Sequence, residues 1–191
     1  MNDFELIKEI LAQSDFVNEI LIKLNLVGFS NYYICGDCLA KIVWNYLSNN
    51  DLAYEIEEIN FSYYDSSDLS KLSEDAMKGR LESLFSNLNI HFKVRNEART
   101  HLEYKEKFGM DMIQYSSLEE AISSAPTTAT SIGARFENGE ILLYAPFGVS
   151  DILNKIVRLN KKQVNKDLYY NKVNEWVSIW SDLVIVPWDS I

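Results

Sequence analysis

Asn138-Gly139 separates two apolar-rich runs, TSIGARF and EILLYAP, and no other residue pair narrows the fold as far. An Asn-Gly link favours positive φ at both positions, which joins two strands as a tight antiparallel hairpin. The remaining strand-like runs stand apart, with helical periodicity between them. Tyr32 to Cys35 reads as a short strand. EINFSYY (58–64) alternates, with Glu58, Asn60, Ser62 and Tyr64 on one side and Ile59, Phe61 and Tyr63 on the other. HFKVRNE (91–97) alternates as well, and IVRLN (156–160) reads as a further strand. Phe4, Ile7, Ile10 and Leu11, then Phe16, Val17, Ile20, Leu21 and Leu24, recur at helical spacing. They predict two amphipathic helices over 3–26, the second capped by Ser14 or Asp15. Leu39, Ile42, Val43, Tyr46 and Leu47 mark a third helix, with Asp37 as its N-cap. Further helices are predicted over 70–88, 148–155 and 166–180, with a short capped one in SSLEEAISSAP. Strands interrupted by helices, plus one hairpin, predict an α+β fold with a mixed central β-sheet flanked by helices.

A chain of 191 residues, 47% hydrophobic, can bury a substantial core, and the expectation is a single domain over 1–191 with a helical segment, 1–28, packed on it. A formal net charge of −10 argues against a broad nucleic-acid footprint, which needs clustered Lys and Arg. A small basic pocket for a phosphorylated ligand is compatible with it. The start, MNDFELIKEIL, lacks a basic region and does not read as a signal peptide, and no apolar run reaches membrane-spanning length. The expectation is a cytoplasmic protein, without membrane association, whose two cysteines are reduced.

The stretch ICGDCLAKIVWNYL (34–47) holds both cysteines, Cys35 and Cys38, around Gly36. Zinc would need four ligands, and His91 and His101 lie at no common zinc-module spacing. A thiol redox pair at a helix start is the second reading, two small buried residues the third. Gly36 says more. A strand, a glycine and a helix start together offer free N–H groups and a dipole's positive end to a phosphate, although Asp37 puts a negative charge there. Glu58 and Asn60 share one strand face ~7 Å apart, a spacing that lets their oxygens converge on Mg²⁺; a plain solvated polar face is the other reading.

Taken together, these segments resemble a bacterial nucleotidyltransferase family with the fold of the CCA-adding enzyme head domain, within the polymerase-beta-like nucleotidyltransferase superfamily. YYICGDCLAKIVWNYL resembles the family's glycine turn and its helix with a Val-Trp pair, here Val43-Trp44. EINFSYYD (58–65) resembles its Asp-Ile-Asp-Val-Val-Tyr-Phe-Asp strand, and VRNEARTHL (94–102) its Asn-Gln-Ala-Arg-x-His-Leu segment. PTTATSIGAR (126–135) and YAPFGVSDILNKIVRLN (144–160) are similar to its most recognisable stretches. The matching segments run in order over about 31–188.

The resemblance implies transfer of a nucleotidyl group from a nucleoside triphosphate, with Mg²⁺ or Mn²⁺ as cofactor, to a small-molecule or protein acceptor. It implies Gly36, Asp37 and Cys38 in the triphosphate turn and Glu58 and Asn60 as the catalytic, metal-binding pair. Here the family's Asp-x-Asp has become Glu-x-Asn, so a catalytically weakened homologue that binds a nucleotide or partner is the alternative function. Glu57, Asp65 and Glu97 are candidate substitute carboxylates, with plain surface or turn charges as the other reading. Arg99, Arg158 and Thr130 are candidate nucleotide contacts, since guanidinium forks bind phosphate oxygens; structural ion pairing is the competing role. For Arg95 and Arg135 ion pairing is the preferred reading, and Trp44, Trp176, Trp180 and Trp188 read as core.

Overall fold

A computed structural model describes residues 2–108, 111–162 and 166–190. The elements run α1 (Asp3–Gln13), α2 (Asp15–Leu26), β1 (Tyr32–Cys35), α3 (Asp37–Leu47), β2 (Glu58–Tyr63), α4 (Lys71–Leu84), β3 (His91–Asn96), α5 (Thr100–Phe108), α6 (Leu118–Ile122), β4 (Gly133–Glu137), β5 (Glu140–Tyr144), α7 (Ser150–Leu153), β6 (Ile156–Val157), α8 (Lys166–Ile179) and β7 (Val184–Ile185).

The central sheet has the order β3-β2-β1-β4-β5. β1 is antiparallel to β2 and β4, β4 is antiparallel to β5, and β2 is parallel to β3, so the sheet is mixed as the sequence predicts. Asn138 (φ 52) and Gly139 (φ 88) make the expected tight turn between β4 and β5. One sheet face enters the apolar core. Ile59, Phe61 and Tyr63 of β2, Phe92 of β3 and Ala134 of β4 meet the buried faces of α1, α2 and α3 there. Tyr32 stacks on Phe61 with ring centroids 5.4 Å apart. The other face carries the alternate residues, and this is the face that builds the site.

Several boundaries differ from the sequence reading. Gly36, not Asp37, is the N-cap of α3, because the turn needs a φ of 80° that glycine adopts freely. Ser14 holds the N-cap position of α2, but its side chain makes no capping bond. The helix expected over 70–88 ends at Leu84, and that over 148–155 shrinks to Ser150–Leu153. IVRLN contributes only two strand residues, which pair in parallel with β7 in a separate small sheet. α5 is absent from the sequence reading, because THLEYKEKF is mostly polar and offers no apolar stripe. No helix among the described residues is long and apolar enough to cross a membrane.

α6 lies over the second sheet face, where Leu118 and Ile122 pack on Tyr33. Ser117 caps α6 by accepting from the Glu120 amide at 3.1 Å, and Glu120 accepts in return from the Ser116 amide at 2.7 Å. Gly133 permits the close approach of α6, since a Cβ at that position would sit 2.9 Å from Ile122 Cδ1 and 3.0 Å from the Tyr33 ring.

Candidate active site

Beside α6 the second sheet face forms the floor of a hollow of about 390 Å³, a size suited to a small ligand. The parallel register pairs Asn60 with Lys93 and Ser62 with Arg95, so acceptors of β2 and cations of β3 share that floor. The Gly36 turn stands at one end. Its amide donates to Ile132 O at 3.0 Å, which ties the turn to the start of β4. A Cβ at position 36 would lie 3.5 Å from Asn60 Nδ2, so the turn sits directly over the β2 residue. Lys172 and Trp176, one turn apart on α8, form a wall; Tyr104, Met112 and Tyr115 line another.

Each carboxylate of the hollow has a partner. Asn60 Nδ2 donates to Asp37 Oδ1 at 2.8 Å, and Lys172 Nζ lies 3.4 Å from Asp37 Oδ2. Burial pushes the Asp37 carboxyl upward, but Lys172, Lys41 and the Asn60 amide outweigh it and hold the group below its usual range. Glu58 pairs with Lys93 at 3.7 Å, both half-exposed. Deeper in, Glu97 accepts from Ser62 Oγ at 2.7 Å and Thr100 Oγ1 at 2.8 Å. Burial raises its pKa, against the pull of Arg95 and these two hydroxyls.

A carboxyl whose folded pKa lies above its unfolded one costs stability at pH values above the unfolded pKa and costs none below it. Glu97→Gln is therefore expected to raise the melting temperature at pH 7. The gain should vanish as pH falls below the ordinary value of 4.5. Melting curves across that window check both the sign and the window.

The residues singled out in the sequence separate into two groups. Gly36, Asp37, Glu58, Asn60 and Thr130 all line the hollow, although the Thr130 hydroxyl is engaged with that of Thr127 at 2.8 Å. Cys38 is buried beneath the turn, its thiol donating to Cys35 O at 3.2 Å. Arg99 and Arg158 are not in the lining. Arg99 is buried, donating to Glu74 at 3.1 Å, to Glu103, and to Leu69 O at 3.2 Å. Arg158 forks onto Asp151 at 2.9 and 3.3 Å, beside the Thr128 hydroxyl. Arg95, read as an ion-pairing residue, lines the hollow instead, and its side chain makes no hydrogen bond or ion pair within 4 Å among the described residues. Arg135 does pair, with Glu137 at 2.8 Å. Lys93 and Lys172 escaped the sequence reading. Alternation of Lys93 and Arg95 along β3 is a signal for the first; nothing local marks the second.

Burial pushes the Cys35 and Cys38 thiols up to about 12. This is the opposite of the lowered pKa that a thiol redox pair requires. Native protein is expected to react with a disulfide reagent at pH 8 about a thousandfold more slowly than unfolded protein. Stopped-flow thiol titration in buffer and in denaturant checks this.

The Glu58/Asn60 pair implies a divalent metal, and the donor set does not fit one. Asn60 turns its amide nitrogen on Asp37, and Asp37 and Glu58 each face a lysine. No group of three or more His, Cys, Asp or Glu able to hold a metal ion occurs among the described residues. Hard cations of this kind want several oxygen donors, most of them carboxylates or waters.

No curated protein matches the chain. Among solved structures, an NMR structure described as revealing a CCA-adding enzyme head domain is similar to it, with a TM-score of 0.79 at 23% identity, covering 97% of this chain and 96% of that one. The likeness establishes the fold that the sequence motifs led us to expect. A family model described as a nucleotidyltransferase matches residues 23–185. With that match spanning most of its length, the chain belongs to this nucleotidyltransferase family.

Proposed function

We propose that the hollow binds a nucleoside triphosphate and that the protein transfers its nucleotidyl group to a small-molecule or protein acceptor. The observation that carries this reading is the Gly36 turn seated over Asn60, with Lys93, Arg95 and Lys172 around the same hollow. With the Gly36 amide held by Ile132 O, the first turn of α3, from Asp37 on, offers its amide N–H groups to phosphate oxygens. The walls at Tyr104, Met112 and Tyr115 offer a partly apolar surface to the base. In the transfer, an acceptor hydroxyl oxygen bonds to the α-phosphorus. The bond from that phosphorus to the bridging oxygen breaks, and pyrophosphate leaves with the bonding pair. The hydroxyl proton passes to Glu58, the half-exposed carboxylate at the rim. Such reactions depend mainly on positioning and charge neutralisation. The net charge of −10 disfavours a nucleic-acid acceptor. The same reading places the protein in the cytoplasm, where its two free thiols stay reduced.

Binding without transfer is the second reading, favoured by the amide at position 60 where the resembling family carries a carboxylate. Pyrophosphate release from each nucleoside triphosphate, with Mg²⁺ and a panel of acceptors, tests the first reading against the second. Release that needs an acceptor supports transfer; binding with no release under any pairing supports the second. Asn60→Asp adds a carboxylate beside Asp37 and Glu58. It is expected to raise Mg²⁺-dependent release about tenfold or more, on the scale by which ligand-shell changes alter metal affinity.

A further inference from the structure

We propose that this hollow neutralises the polyphosphate with side-chain cations, Lys93, Arg95 and Lys172, in the places where related sites use divalent ions. The inference rests on the nucleotide-binding reading above and adds to it the means of binding.

Asp37 and Glu58 would repel a triphosphate if nothing stood between. A divalent ion normally bridges the two. Here an ammonium group is in the bridging place each time: Lys172 on Asp37 at 3.4 Å and Lys93 on Glu58 at 3.7 Å. An ammonium group has three donors. Lys93 can therefore keep Glu58, and Lys172 can keep both Asp37 and Glu175, the latter at 3.2 Å, and each still has a donor for a phosphate oxygen. The two pairs are long and partly exposed, with Lys172 46% and Lys93 53% accessible. Pairs of this kind contribute little and rearrange readily.

Arg95 completes the set. Its guanidinium makes no ion pair within 4 Å among the described residues, and its pull on the buried Glu97 acts from farther off. It lies two residues from Lys93 on the same strand face, ~7 Å along the strand. Lys172 approaches from α8, at the end where the Gly36 turn stands. The three cations thus flank the hollow from two elements, and the amides of the first turn of α3 close the remaining side. Asn60 fits this arrangement better than an aspartate would. Its amide hydrogen neutralises Asp37 at 2.8 Å, and its own side chain adds no negative charge toward the phosphates.

The test is calorimetric titration of the full chain with inorganic tripolyphosphate and with ATP, each in excess EDTA and in excess Mg²⁺. Binding in EDTA at least as tight as in Mg²⁺ is expected. Lys93→Met, Arg95→Met and Lys172→Met should each weaken it by tenfold or more, in line with the worth of a hydrogen bond to a charged group. Lys78→Met, on an exposed pair with Glu82, should not. Lys172→Arg, which keeps the charge, should retain binding and so separates lost charge from lost packing. Binding seen only with Mg²⁺ would overturn the inference and leave the nucleotide reading standing. Binding in EDTA that is indifferent to all three methionine variants would overturn it too. No binding under any condition would remove the nucleotide reading along with it.

Discussion

Trp44→Ala is expected to remove about 3–5 kcal/mol of folding stability, the usual cost of deleting a fully buried tryptophan. Trp44 is completely buried and meets two other indoles edge to face, Trp176 at 5.5 Å and Trp180 at 5.6 Å. These rings hold α8 against α3, and Trp180 Nε1 donates to the buried Asn45 Oδ1 at 2.9 Å in the same contact. Neighbouring backbone cannot collapse into so large a void, so the cavity term adds to the lost transfer free energy. The consequence reaches the site. Trp176 and Lys172 lie on one helix, and both line the hollow. A loosened α8 should therefore weaken polyphosphate binding as well as stability. Urea unfolding, with an unchanged slope and a lowered midpoint, measures the first effect, and titration of the still-folded variant the second. A loss under 1 kcal/mol would mean that α8 does not depend on this cluster.

Gly36→Ala is expected to cost about 1–3 kcal/mol in backbone strain. The residue has φ 80° and ψ −146°, a region that alanine rarely adopts. Space is not the difficulty, since the added Cβ would meet Asn60 Nδ2 at an ordinary 3.5 Å. The backbone would turn to relieve the strain and carry the amides of the α3 start away from the phosphate position. Affinity for ATP should fall tenfold or more. Gly79→Ala is the matched control: it lies inside α4 with nothing within 4 Å of its added Cβ. There alanine should stabilise by roughly 0.5–1 kcal/mol and leave affinity unchanged. Opposite signs at two glycines would separate the conformational role from a general effect of the substitution.

The parts of this molecule that were legible in its sequence are those fixed by local geometry. β1, the Gly36 bend and α3 follow from an apolar run, a glycine and a helical stripe within sixteen residues, 32–47. Alternation along 58–64 gives both the core face and the site face of β2, since a strand has period two. The hairpin follows from Asn138-Gly139. Longer-range pairing was not legible. The parallel register that sets Lys93 beside Asn60 depends on how α4 returns the chain, and no residue of β3 specifies it. Lys172 reaches the turn from a helix far along the chain. β6 and β7 are two residues each, too short to show any period. The arginines illustrate the same limit. Arg99 has Glu103 four positions on, a spacing that suits a helical ion pair, and this pair forms where the chain enters α5. Arg95 carries no such local partner, and it is the one that lines the hollow.

On the proposed function, the hollow between the Gly36 turn, β2, β3 and α8 receives the nucleotide. Amide chemical shifts of the ¹⁵N-labelled protein during titration with ATP test it most directly. The largest changes should fall on Gly36, Asp37, Asn60 and Arg95, and should saturate together with one dissociation constant. Saturating shifts gathered elsewhere on the molecule, with those four amides unmoved, would contradict the account.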